Sequence, residues 1–146
     1  MTIKVYSDTE TESIGKELAE KLSSRGIERA FIAMRGEMGV GKTVFTRGFA
    51  SHFGISGVKS PTYTIVNEYR NSQGVRIFHF DLYRISDVDD LISIGYDDYV
   101  RARGYCIAEW SERAEEELPR DTIYVTISRT QNDECERMIE ITGFEY

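Results

Sequence analysis

The sequence predicts a single α/β domain on a mixed, mostly parallel sheet with antiparallel hairpins, and three observations lead there. Ala30-Phe31-Ile32-Ala33-Met34 is a continuous apolar run, as in a strand buried on both faces, and it feeds a glycine-rich loop followed by a helical pattern. Two more apolar runs, Ile77 to Phe80 and Tyr105 to Ala108, each end in a carboxylate. Finally, residues 62–69 with 75–80, and 123–127 with 137–141, read as strand pairs joined across polar turns. A chain of 146 residues closes one hydrophobic core and leaves little room for a second, so 1–146 is expected to be one domain.

The elements follow in order. Ile3 to Tyr6 reads as a short strand. Ser7-Asp8-Thr9 offers N-cap oxygens, with Glu10 and Glu12 placed to favour the start of a helix. Ile14, Leu18, Ala19 and Leu22 form its apolar stripe, and Arg25-Gly26 stops it. After the glycine loop, Val44, Phe45, Phe49 and Phe53 mark a second helix ending at Gly54. Thr62 to Tyr69 and Val75 to Phe80 form a hairpin around Asn71-Ser72-Gln73-Gly74. Asp87 to Arg103 reads as two short helices broken around Gly95, before the buried strand Tyr105 to Ala108. Ile123 to Ile127 and Arg137 to Ile141 close the chain as a hairpin across the polar 130–134 turn.

Composition narrows the function classes. Lysine and arginine number 18 against 25 aspartates and glutamates, a net charge of −7. That field opposes nonspecific binding to a polyanion, so no direct nucleic-acid grip is expected. It leaves room for an acidic component docking on a basic partner. No apolar run approaches a membrane span and no signal-like segment opens the chain, so the expected setting is the cytoplasm. Cys106 and Cys135 lie outside any CxxC pair and are expected to be buried free thiols.

Gly36-Glu37-Met38-Gly39-Val40-Gly41-Lys42-Thr43 satisfies GxxxxGK[ST], between a buried strand and a helix. This makes the expected architecture a P-loop NTPase-like three-layer fold. Glycines let successive backbone N–H groups from Met38 to Thr43 aim inward as an anion nest, and the helix adds its positive end. Lys42 has the reach for β- and γ-phosphates, and the Thr43 hydroxyl is placed to ligate Mg²⁺. ATP and Mg²⁺ are the expected cofactors. The loop alone supplies no group that activates water.

Phosphoryl chemistry needs carboxylates for the metal shell and the attacking water, and Asp81 and Glu109 stand at strand ends where ligands of such sheets collect. Each either serves that chemistry or caps a helix or pairs with a surface arginine. Pro61 restrains the chain before Thr62, whose hydroxyl either completes a metal shell when a γ-phosphate is present or is an ordinary strand threonine. His79 reads as a core histidine, and Trp110 as packing.

The set of motifs resembles the TsaE (YjeE) family of bacterial ATPases, which act in forming threonylcarbamoyladenosine on tRNA. The stretches that carry the likeness are Gly36 to Thr43, Ser60-Pro61-Thr62-Tyr63-Thr64 with Val66-Asn67-Glu68-Tyr69, His79-Phe80-Asp81-Leu82-Tyr83-Arg84, and Glu109-Trp110. Within the loop, Glu37-Met38 and Val40 stand where the family more usually has Asp-Leu and Ala. The resemblance implies that Thr43 and Glu109 lie at the Mg²⁺ site and that Asp81 is essential for hydrolysis through metal or water. It further implies that the segment around Thr62 acts as a switch, and that Thr11, four residues before Gly15, sits near the adenine. It also implies partnership with TsaD and TsaB, in which ATP hydrolysis resets the complex between rounds and tRNA is met only through the complex. The rival reading is a small P-loop nucleoside or small-molecule kinase, which should carry an arginine-rich lid. A GTP switch lacks its usual NKxD stretch here.

Overall fold

The computed structural model describes residues 1–61 and 65–146. Among them, seven strands form one sheet in the order β1-β7-β6-β2-β5-β4-β3. The strands are β1 Thr2–Val5, β2 Ala30–Arg35, β3 Val66–Arg70, β4 Arg76–Asp81, β5 Tyr105–Glu109, β6 Ile123–Arg129 and β7 Arg137–Thr142. The centre, β4-β5-β2-β6, is parallel, while β3 pairs antiparallel with β4 on one side and β7 pairs antiparallel with both β6 and β1 on the other. The expected mixed sheet and both hairpins are present. The first hairpin's opening strand starts at Val66 among the described residues, and Thr62, Tyr63 and Thr64 lie outside them.

Alternation along the central strands sorts the core onto two faces. Ile32, Met34 and Ile107 pack with Ile14, Leu18 and Leu22 of α1 (Asp8–Ser24) and Phe45 and Phe49 of α2 (Lys42–His52). Phe31, Ala33, Cys106 and Ala108 face the other way, against Leu91 of α3 (Val88–Ser93), Tyr96 of α4 (Tyr96–Arg101) and Ala114 of a 3₁₀ segment (Ser111–Glu117). Helices on both faces of one sheet give the three layers expected. Gly95 sits between α3 and α4 at φ 75°, which accounts for the break read from the sequence.

Ser7 caps α1 by accepting from Glu10 N–H at 3.1 Å, while Glu10 Oε2 accepts from Tyr6 N–H at 2.6 Å. The helix then approaches α2 unusually closely. A Cβ on Gly15 would meet Phe45 O at 2.2 Å, and one on Gly48 would meet Glu12 O at 2.0 Å. The two glycines are therefore required by backbone contact between α1 and α2. That contact carries Thr11 up to the glycine-rich loop.

The two thiols differ. Cys106 is buried as expected, and burial pushes its thiol up to about 12. Cys135 is exposed, contrary to the expectation, because it falls in the 130–136 turn before β7 rather than in the strand.

Candidate functional site

The loop between β2 and α2 opens on a cavity of about 410 Å³ at the carboxyl ends of the parallel strands. Met38, Gly39, Gly41, Lys42 and Thr43 line it from the loop side, and Asp81 and Glu109 from β4 and β5. Asp8, Val44, Ser60 and Trp110 complete the wall. The sheet register explains the convergence of the two carboxylates, because Asp81 and Glu109 are paired residues on neighbouring parallel strands.

Two of the anticipated residues sit behind this wall. The Val40 side chain is in the core, so that residue offers the site only its backbone. Thr11 is buried, and its hydroxyl donates to Ser7 O at 3.3 Å. Its methyl group would lie 3.8 Å from a Cβ on Gly41, so it backs the loop. Met38 turns its side chain to solvent and is 78% exposed. Thr62 lies outside the described residues.

Lys42 is buried, with Nζ donating to Gly36 O at 2.6 Å and lying 4.7 Å from the Trp110 ring centroid. The loop's own carbonyl and an indole face thus hold the ammonium at the loop's centre. Trp110 has left-handed backbone angles, φ 57° and ψ 37°, which cost a residue with a Cβ about 1–2 kcal/mol. Its ring also meets Tyr83 edge-on, with centroids 5.0 Å apart. Trp110 packs, as expected, and its packing joins the loop lysine to the turn after Asp81.

A polar chain crosses the far wall. Thr43 Oγ1 and Ser60 Oγ are 2.5 Å apart, and Ser60 Oγ donates to Glu109 Oε2 at 3.3 Å. His79 Nε2 lies 2.6 Å from the same carboxylate oxygen. An ionised carboxylate only accepts, so the shared proton belongs on Nε2. His79 is fully buried, and its Nδ1 has no partner among the described residues. It is a core histidine, as read, but one that also orients Glu109. Asp81 is less enclosed, and its Oδ1 accepts from Tyr83 N–H at 3.0 Å in the following turn.

Ser60 stood inside a stretch already singled out, yet nothing in its spacing announced its contact with Glu109. The His79 contact depends on the β4–β5 pairing, which no local pattern encodes. The assembled donors are hydroxyls and carboxylates, the oxygen chemistry that hard divalent cations take. Among the described residues no group of three His, Cys, Asp or Glu side chains forms a protein-only metal cage.

A GxxxxGK[ST] loop leading from a parallel strand into a helix, in a sheet covered on both faces, defines a protein of the P-loop NTPase-like class. Comparison with known proteins narrows the class. The family model described as "Threonylcarbamoyl adenosine biosynthesis protein TsaE" matches residues 5–139. The "tRNA threonylcarbamoyladenosine biosynthesis protein TsaE" of Bacillus subtilis is 38% identical over 116 residues, 79% of this chain and 72% of that one. The protein of the same description from Haemophilus influenzae is 44% identical over 115 residues, 77% of this chain and 72% of its own. The crystal structure of Bacillus subtilis YdiB aligns with a TM-score of 0.75 at 31% identity, covering 95% of this chain and 82% of that one. The chain belongs to the TsaE family.

Proposed function

We propose that this chain is a magnesium-dependent ATP-binding and ATP-hydrolysing component of tRNA threonylcarbamoyladenosine biosynthesis, the process for which its family is named. The observation that carries the reading is convergence. Lys42, Thr43, Asp81 and Glu109 face one cavity beside the glycine loop, and a triphosphate with its counter-cation needs cationic, hydroxyl and carboxylate groups in that juxtaposition.

In this reading the loop N–H groups and Lys42 bind the phosphates. Lys42 exchanges Gly36 O for phosphate oxygen while the Trp110 ring keeps the ammonium from swinging away. Thr43 and Glu109 would hold Mg²⁺, with Asp81 as a further ligand or as the group orienting water. When bound, the ion would neutralise charge developing on the transferred phosphoryl group. His79 keeps the Glu109 carboxylate turned toward Thr43, as partners behind a metal ligand commonly do. Thr62 as a γ-phosphate-sensing switch rests on the family resemblance alone.

TsaD-like and TsaB-like proteins are the proposed partners, with the group transfer to adenosine assigned to the TsaD-like protein and hydrolysis here resetting the complex between rounds. The acidic surface suits a subunit that meets tRNA only through that complex in the cytoplasm. Among the described residues no helix is long and apolar enough to cross a membrane.

The test is ATP turnover by the chain alone, with the reconstituted partners, and with candidate phosphoryl acceptors. Weak turnover alone that rises with the partners is expected. Stoichiometric phosphorylation of a small acceptor would move the protein to the kinases, and a clear preference for GTP would overturn the adenine assignment.

A further inference from the structure

The last hairpin carries no recognisable motif, yet it holds the phosphate loop from outside. Arg137 of β7 donates from Nε to Val40 O at 3.3 Å, and from Nη1 to Glu134 O at 2.5 Å and Glu136 O at 3.0 Å. Arg129, at the end of β6, reaches Met38 O with Nη2 at 3.4 Å and Nη1 at 3.5 Å, and pairs with Glu37 Oε2 at 3.3 Å. Neither arginine lines the cavity, and each reaches the loop through a carbonyl from the side of the β6–β7 hairpin. A trans peptide is planar, with its C=O and N–H pointing in opposite directions. Holding those two oxygens on the hairpin side fixes the N–H groups of Gly39 and Gly41 on the opposite side of their peptide planes, and both glycines line the cavity.

These peptide units need an external hold. Gly39 and Gly41 adopt φ 78° and 117°, and glycine pays no steric cost for leaving either angle. The hairpin itself is anchored, since the Thr130 hydroxyl donates to the buried Glu136 carboxylate, which also lies 3.6 Å from Lys4 Nζ. Among the described residues every polar contact of Arg137 is a backbone carbonyl, so its charge is not spent on an ion pair.

We infer that Arg137 is a positioning residue for phosphate capture, setting the Val40–Gly41 peptide plane, with Arg129 doing the same more loosely for Met38–Gly39. The loop then meets an anion with its donors already aimed, and binding pays less to order them. This inference rests on the nucleotide-binding reading proposed above.

The experiment titrates ATP with magnesium into the full chain and its Arg137→Met, Arg137→Lys and Arg129→Met variants, with turnover followed in the reconstituted complex. Arg137→Met is expected to raise both the dissociation constant and KM roughly tenfold, with a much smaller change in kcat. Arg137→Lys retains the charge without the planar fork and should recover only part of the loss. Arg129→Met, at an exposed site, should raise the dissociation constant about two- to threefold. Wild-type affinity in a folded Arg137→Met protein, or full recovery by lysine, overturns the inference. If Arg137→Met does not fold, unchanged affinity in both Arg137→Lys and Arg129→Met overturns it. Failure of the unmodified chain to bind any nucleotide overturns the functional reading itself, a distinguishable result.

Discussion

The ends of β4 and β5 place two carboxylates side by side in register, yet the two are held in opposite ways. Glu109 is buried, and one of its oxygens takes hydrogen bonds from both His79 and Ser60. Asp81 is more open, and its oxygen caps a turn by accepting from Tyr83 N–H. A side chain locked by two neighbours is suited to holding a ligand in fixed geometry. One whose contact among the described residues is a turn N–H can follow a substrate as the turn adjusts. Matching sequence context, an apolar strand ending in an acid, therefore produces two different devices, because the strands differ in what lies behind their ends.

Mutations at the two positions should break this symmetry. Glu109→Ala is expected to lower partner-stimulated turnover by about 10²-fold or more. It should also cost about 1–3 kcal/mol of stability, because a buried His79 donor loses its acceptor. Denaturant unfolding and a turnover assay read the two effects, and unchanged values in both would deny Glu109 either role. Asp81→Ala is expected to lower turnover by about 10²-fold while costing no more than about 1 kcal/mol, the worth of one exposed turn contact. If it destabilised the fold as much as Glu109→Ala does, the contrast drawn between the two ends would be wrong.

Smaller effects sharpen the same comparison. His79→Leu removes the group behind Glu109 without touching the cavity, and should weaken magnesium-dependent nucleotide binding about tenfold. The magnesium concentration at half-maximal ATP binding measures this, and binding in the absence of magnesium should move less. An equal loss with and without the ion would make His79 a packing residue alone. Ser60→Ala removes the weaker of the two hydrogen bonds to Glu109, at 3.3 Å, and should weaken the same quantity about two- to fivefold. A loss exceeding that of His79→Leu would reverse their order of importance.

Most of the architecture was legible because its signals are local. The 30–34 run, the glycine loop and the helix after it lie within one short stretch, and each sets backbone geometry over a few residues. Gly95 marked the break between α3 and α4 because a left-handed turn needs a residue without a Cβ. The 3₁₀ segment at Ser111–Glu117 carried no periodic pattern and was not anticipated. Cys135 sat close to an apolar stretch, but its place in the turn left it exposed.

The site divides along the same line. Lys42, Thr43, Asp81 and Glu109 were identifiable by residue type at the ends of recognisable elements. The contacts that orient them join residues far apart in the chain, such as Ser60 with Glu109, or Arg137 with Val40. Those contacts exist only once the sheet has set its strand order. The close approach of α1 to α2 through Gly15 and Gly48 is of the same kind, and it seats Thr11 behind the loop.

By itself, then, the sequence determined a GxxxxGK[ST] loop on a three-layer α/β fold and two acids at strand ends. It did so because backbone propensity, hydrophobic period and loop chemistry act over neighbouring residues. Only the tertiary structure decided that Glu109 is locked and Asp81 is not, and that a hairpin without a motif aims the loop. Register and packing bring distant side chains within hydrogen-bond reach, and no local pattern records that distance.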